Sequence, residues 1–345
     1  MKLETRSTSI TYVTYTRALA CIAIVVLHTF YGASAYAEGT SLILADTVRN
    51  LMLWAVPCFV MVTGTLLLDA EHEVTYHKIF TKYIPRMLIA LVVFSILFEI
   101  LDTVAAGESF GLSTLWSGIK IIFSGDGWNH MWYLYLMIAI YLLLPFYRKI
   151  SAQLDTKDSY YLLGVYLVFL CIVPLIEALT GTSTAFYICV YTIYPFYLFA
   201  GFAITHTLHI PRWDYGIMAI LGTVGEGILT VCSALCDWET LGSELSGYSF
   251  PLVVLQGVGI YGWMSSIQGQ APRILHKILT ELDNCSFGIY LLHMVTLKCV
   301  LVYAGWNPYE HGGSWMVLLL TLGVLLVTFL VVWLLKKIPG VRKIL

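Results

Sequence analysis

Arg17 and His28 stand eleven positions apart inside the first long apolar run of the chain. At about 1.5 Å rise and 100° per residue they project from nearly one face of a helix, about 16 Å apart along its axis. A guanidinium can hold an anion through charge-assisted hydrogen bonds, and an imidazole can take a proton near neutral pH. Neither is placed cheaply in hydrocarbon, because an ionisable group in a membrane helix costs several kcal/mol unless it faces a cavity or the bundle interior. The pair therefore predicts a polar path along one helix, cationic at one end and titratable at the other.

The element that positions the pair belongs to a membrane bundle. Of 345 residues, 59% are hydrophobic and 12% charged, against roughly 25% charged in soluble domains. Apolar runs long enough to cross a bilayer can be drawn at about 12–31, 42–68, 83–105, 129–147, 160–179, 186–207, 214–235, 248–268, 284–304 and 315–335. Lys and Arg sort between alternate connections. With both ends inside, every one outside the spans except Lys120 falls on the inner side, including Lys2, Arg6 and Lys343, while Arg17, Arg49 and Lys298 fall within spans. That asymmetry supports an even number of spans. The Ala33-Ser34-Ala35-Tyr36-Ala37 run has the look of a signal cleavage site, but the apolar stretch before it is longer than a signal core and is interrupted by Arg17, so the first span is expected to remain. The expected fold is an all-α integral membrane protein of about ten transmembrane helices in one bundle, with both termini cytoplasmic. One membrane domain is expected over residues 1–345, in the cell (cytoplasmic) membrane.

Counting depth along the spans gathers further residues. His28, His130, Trp132 and Tyr133 fall toward the outer side and suggest a polar outer cavity; Arg17, Arg86 and the Thr63-Gly64 pair suggest a second opening on the cytoplasmic side, and His293 falls nearer mid-membrane. Pro57 lies within a span, where a missing N–H can open a kink beside a cavity. Glu99, Asp102 and Glu177 are expected at the interface, with Glu226 and Lys298 as buried polar partners. The connection over about 106–128 is expected as a loop or short interfacial helix. Most of the eight cysteines sit in spans, where a thiol packs as a small hydrophobe. No phosphate loop, dinucleotide fingerprint or metal-binding pattern is present, so no metal, no permanently bound cofactor and no nucleic-acid partner is expected.

Four stretches taken together resemble a known family, in a likeness that spans a core of about residues 10–335. Arg17-x10-His28 looks like the R-x10-H hallmark of the membrane-bound acyltransferase family 3, whose members O-acylate cell-surface glycans. In the same order, Pro57-Cys58-Phe59-Val60-Met61-Val62-Thr63-Gly64 resembles its P-x-F-x-x-x-S-G stretch. His130-Met131-Trp132-Tyr133-Leu134 resembles H-L-W-F/Y-L, and Ser286-Phe287-Gly288-Ile289-Tyr290-Leu291-Leu292-His293 resembles S-x-G-I-Y-L-x-H. Two departures stand out. Thr63 replaces the usual serine, and the family's R-x-x-R survives as Tyr83-Ile84-Pro85-Arg86, with Lys82 as a substitute for the first arginine. The hydrolase-like domain of longer relatives is not found in this sequence, so transfer is expected to be completed by this domain or by a separate partner.

The resemblance implies an O-acyltransferase, with acetyl-CoA or another acyl-CoA as donor substrate and a hydroxyl of a polysaccharide or lipid-linked sugar as acceptor; membrane lipid surrounds the protein. A histidine can make that hydroxyl nucleophilic by removing its proton. His28 takes the base role, Arg17, Arg86, Lys82 and Thr63 the donor site, His130, Trp132 and Tyr133 the acceptor cavity, and Ser286, Tyr290 and His293 a supporting role. Blander accounts compete: Arg17 snorkelling to headgroups, and His130 or His293 bonding across helices. A transporter or exporter of a glycan, lipid-linked sugar or amino acid would use the same cavity without covalent chemistry, and a noncatalytic scaffold would tolerate changes at both Arg17 and His28.

Overall fold

The computed structural model describes residues 2–185 and 191–345, with all side chains except those of residues 2–10, Glu239 and Lys343. The start of the expected sixth span, 186–190, lies outside the described residues, as do the side chains of Lys2, Arg6 and Lys343 used in the charge asymmetry.

The described chain is helical, with no strand among the described residues. In order run α1 (Lys2–Ser34), α2 (Gly39–Leu51), α3 (Ala55–Leu67), α4 (Tyr76–Ala105), α5 (Leu112–Ser124), α6 (Asn129–Ser151) and α7 (Thr156–Thr180). Then follow α8 (Tyr194–His206), α9 (Arg212–Leu235), α10 (Glu239–Leu245), α11 (Pro251–Ser265), α12 (Arg273–Tyr303) and α13 (Ser314–Leu335). With α2 and α3 counted as one span, eight helices among the described residues are long and apolar enough to cross a membrane. Two of the ten expected spans are represented by the shorter α8 and α11.

Close backbone approach explains why these two helices can be short. A Cβ added at Gly64 of α3 would fall on the Leu198 carbonyl of α8, and one added at Gly201 of α8 would fall on the Met61 carbonyl of α3. The same reciprocal approach joins α9 and α11, where Gly222 faces the Gln256 backbone and Gly259 faces that of Ala219. Small residues of this kind let membrane helices pack backbone to backbone, where dispersion replaces the absent hydrophobic drive. Residues Phe196 to Ile204 of α8 are all buried, the pattern of a helix surrounded by protein rather than lipid.

Proline sets the local breaks around the future site. Pro57 has no N–H for the Leu53 carbonyl four residues back, and α2 gives way to a turn there, held by Ala55 N–H to Met52 O at 3.2 Å before Cys58 N–H resumes the ladder to Trp54 O at 3.1 Å. Before Pro85, residues Ile79–Tyr83 form a π-turn, the kind of one-residue bulge that re-aims side chains within a helix; Lys82 and Arg86 follow one turn apart on one face. The long connection contains α5, whose Gly118 lies against Ile96 of α4. At the end of α6, Arg148 donates to the carbonyls of Leu67, Asp69 and His72, and the Ser151 hydroxyl donates to that of Leu68, which satisfies the orphan carbonyls at the end of α3.

Candidate functional site

Two helices build the centre of the site. On α1 the residues Arg17, Cys21 and His28 form one stripe, and on α12 the residues Asp283, Ser286, Tyr290 and His293 form another. The stripes meet in register, so the helices run side by side in the same direction. Arg17 donates from Nε to Asp283 Oδ1 and from Nη2 to Asp283 Oδ2, both at 2.6 Å. Cys21 Sγ lies 3.9 Å from the Ser286 carbonyl, and His28 Nδ1 lies 3.0 Å from His293 Nε2.

A cavity of about 410 Å3 runs along this seam, within the range that accommodates small-molecule substrates. Arg17, His28, Thr63, Lys82, Arg86, His130, Trp132, Tyr133, Ser286 and Tyr290 all line it. Of the eleven residues singled out from the sequence, only His293 does not; it is fully buried behind His28. The two separate openings suggested by depth counting are one continuous space, because the α1 stripe lines it from Arg17 to His28.

The cationic end is partly self-satisfied. Asp283 is 5% exposed and Arg17 37%, and the bidentate fork spends two of the five guanidinium N–H donors. Three remain. Arg86 stacks its guanidinium 4.7 Å from the Phe287 ring centre and donates to the Leu345 carbonyl at 3.0 Å. Lys82 is exposed and makes no ion pair among the described residues. Thr63 donates its hydroxyl back to the Phe59 carbonyl at 2.9 Å.

With neutral rings, the hydrogen bonds of the histidine end assign one proton arrangement. His293 Nδ1 lies 3.0 Å from the Ile289 carbonyl, which only accepts, so that nitrogen carries the hydrogen. In the neutral ring Nε2 is then the acceptor, and its partner, His28 Nδ1, must donate. His28 Nε2 is left with a free lone pair on a ring that lines the cavity. His130 completes the cluster, with ring centres 6.3 Å from His28 and 5.3 Å from His293. It is 1% exposed, and neither of its ring nitrogens has a hydrogen-bond partner. Among the described residues, no group of three His, Cys, Asp or Glu side chains is placed to hold a metal ion.

Aromatic and polar neighbours fix the His130 ring. Phe98 and Tyr290 each stand 5.5 Å from it, and Trp128 stacks on Phe98 at 4.0 Å with 6° between planes. The Tyr290 hydroxyl donates to the His130 carbonyl. Behind them, Asp102 accepts from Trp128 Nε1 at 2.7 Å, Lys298 Nζ at 2.7 Å and the Tyr303 hydroxyl at 2.6 Å. Lys298 thus has its polar partner. Glu226, expected to be a buried partner as well, is buried with no hydrogen bond to either carboxyl oxygen.

Two residues at the site were missed from the sequence. Asp283 lies just outside the expected 284–304 span, yet it precedes His293 by ten positions as Arg17 precedes His28 by eleven, an opposite charge at matching spacing that could have revealed the pairing. Tyr248 lines the cavity beside Trp132, with ring centres 5.7 Å apart, and is held by the Tyr197 hydroxyl donating to its carbonyl at 2.6 Å. It lies in a connection, and no periodic signal marks it.

Fold and site together define a multi-pass membrane protein with a histidine-containing cavity inside its helical bundle. The chain belongs to the acyltransferase 3 family: the family's acyltransferase domain matches residues 10–337. It is 22% identical over 319 residues to the probable poly-β-1,6-N-acetyl-D-glucosamine export protein of Staphylococcus aureus strain Mu50, covering 86% of this chain and 85% of that protein. The same figures hold for the proteins of that name from strains MSSA476 and MRSA252. No solved structure gives a significant match.

Proposed function

We propose that the protein is an O-acyltransferase of the cytoplasmic membrane, moving an acetyl group from cytoplasmic acetyl-CoA, or the acyl group of another acyl-CoA, to a hydroxyl of a surface polysaccharide or its lipid-linked precursor. The observation that carries this reading is the unspent Nε2 of His28, on a ring that lines a cavity whose other end is lined by Arg17, Lys82 and Arg86. The donor's phosphates bind at the cationic end, through the spare N–H groups of Arg17 and the charges of Lys82 and Arg86, with Thr63 on the wall beside them. Its pantetheine arm extends along the seam. His28 Nε2 removes the proton of the acceptor hydroxyl, whose oxygen attacks the thioester carbonyl carbon; the tetrahedral centre collapses, the C–S bond breaks, and the CoA thiolate recovers the proton from His28. His293 holds His28 in the productive tautomer, with Ser286 and Tyr290 ordering the α12 wall.

Acceptor binding falls to the opposite end. Trp132, Tyr133 and Tyr248 offer flat apolar faces, and Trp132 Nε1 and the Tyr133 and Tyr248 hydroxyls have no hydrogen-bond partner among the described residues. Faces that stack on sugar rings beside tips that bond their hydroxyls suit a glycan, and His130 stands where this surface meets His28. The topology proposed with this is ten spans with both termini cytoplasmic. The charge asymmetry supports it, as do the buried α8 and α11 in the two remaining positions, and it gives α1 and α12 the shared direction that their contacts require.

A second reading, glycan export through the same cavity, is favoured by the name of the Staphylococcus aureus relatives. Purified protein in vesicles separates the two. Acceptor-dependent release of CoA from acetyl-CoA is the expected result; counterflow of glycan in vesicles without any CoA would support export instead.

A further inference from the structure

His130 is the one member of the histidine cluster neither of whose ring nitrogens makes a well-formed hydrogen bond; the ring only approaches the Leu291 backbone. His293 uses both nitrogens, and His28 uses one. His130 uses neither, although it is 1% exposed and held among Phe98, Tyr290 and the other two imidazoles. A buried polar group without a partner costs about 1–3 kcal/mol, and in a native protein it calls for an explanation, of which a catalytic role is one. The ring lines the cavity, and its centre is 6.3 Å from that of His28. Its nitrogens are covered in this structure, and once a bound group displaces that cover, hydrogen bonds of about 2.8 Å let the group touch both rings.

We infer that His130 donates a hydrogen bond to the carbonyl oxygen of the bound acyl thioester, holding the negative charge that develops there while His28 activates the acceptor hydroxyl. This rests on the acyl-transfer reading of the cavity. A neutral imidazole always carries one N–H, so a donor is available from either tautomer. In the step, the hydroxyl proton passes to His28 Nε2, the new C–O bond forms, and the carbonyl π pair moves onto oxygen, where the His130 N–H meets it. When the pair returns, the C–S bond breaks and the thiolate takes the proton from His28. His130 gives up no proton and ends the cycle unchanged. Its rigid setting suits the task, because a preorganised donor aimed at a developing oxyanion pays no reorganisation at the moment of reaction.

The test uses membrane vesicles from the native cells, which hold the natural acceptor, carrying wild type or a variant, with radiolabelled acetyl-CoA as probe and label in polysaccharide as readout. His130→Phe keeps a ring against Phe98 and removes the donor. Its turnover should fall about 100-fold or more, the size seen when one oxyanion donor is removed, with the KM for acetyl-CoA and the melting temperature near those of wild type. His130→Asn and His130→Gln place a carboxamide N–H near Nδ1 or Nε2, and one of them should recover about tenfold or more of that loss. Wild-type turnover in His130→Phe, a loss confined to KM, or folded amide variants that recover nothing would each overturn the oxyanion role. If wild-type vesicles transfer no label at all, the acyl-transfer reading falls, and this inference with it.

Discussion

The two ends of the seam between α1 and α12 share a geometry and differ in what they leave unspent. At one end Arg17 and Asp283 meet in a bidentate fork. At the other His28 and His293 meet through one shared hydrogen bond. The fork is a charged pair that cancels itself, so the guanidinium is held rigid without a bare charge in the bundle, and surplus positive charge comes from Lys82 and Arg86. The histidine end, with its rings neutral, keeps a lone pair in reserve on His28 and a lone pair and an N–H on His130. One end is suited to gripping an anion that arrives with its own charge, the other to moving a proton and meeting a charge that exists only in passing.

The difference can be broken from either side, and the largest effect is expected at the histidine end. His28→Ala should insert normally yet lose acyl transfer by about 100-fold or more, with acetyl-CoA binding kept; preserved transfer would make the histidine end structural. At the cationic end, Arg17→Ala should weaken acetyl-CoA binding by roughly 10-fold or more, the scale of a lost charge-assisted bond, and leave glycan affinity unchanged. Calorimetry on detergent-purified protein reads this. Arg17→Lys should recover only part, because an ammonium lacks the planar fork. Equal affinity in all three would leave Arg17 as the partner of Asp283 and nothing more.

A smaller effect sharpens the role of the fork. Arg17→Ala strands the buried Asp283 carboxylate, whereas Arg17→Ala with Asp283→Ala removes the stranded charge, so the double variant should melt at a higher temperature than Arg17→Ala alone. Simple additivity would show that the fork is not coupled. The smallest effect is none on activity: Glu244→Cys should react with an impermeant thiol reagent from outside the cell and Lys157→Cys should not. The reverse pattern would exchange the sides on which the two ends open.

Part of this site was legible from helical periodicity and depth, and part, Ser286 and Tyr290 among it, only from the resemblance to the family's motifs. Arg17 and His28 could be put on one stripe from their separation, and the residues around Thr63, Arg86, His130 and Ser286 reach the same cavity. Partners across helices were not legible. Asp283 lay just outside the expected 284–304 span and Tyr248 at the first position of the expected 248–268 span, and no local pattern says which helix lies alongside. Depth counting gave two openings because it treats each span alone, while the parallel contact of α1 and α12 joins them. The short α8 and α11 read as ordinary spans, since hydropathy registers apolar length and cannot see that glycines such as Gly64 and Gly201 have brought backbones into contact.

The most direct test of acyl transfer through His28 is mass spectrometry of envelope polysaccharide, alongside its surface amount, from cells with wild type, His28→Ala or no protein. The account predicts acyl groups on the polysaccharide of wild-type cells, their loss in both other strains, and an unchanged quantity at the surface. Equal acylation in all three strains, with less polysaccharide reaching the surface when the protein is absent, would contradict it and leave export as the activity of the cavity.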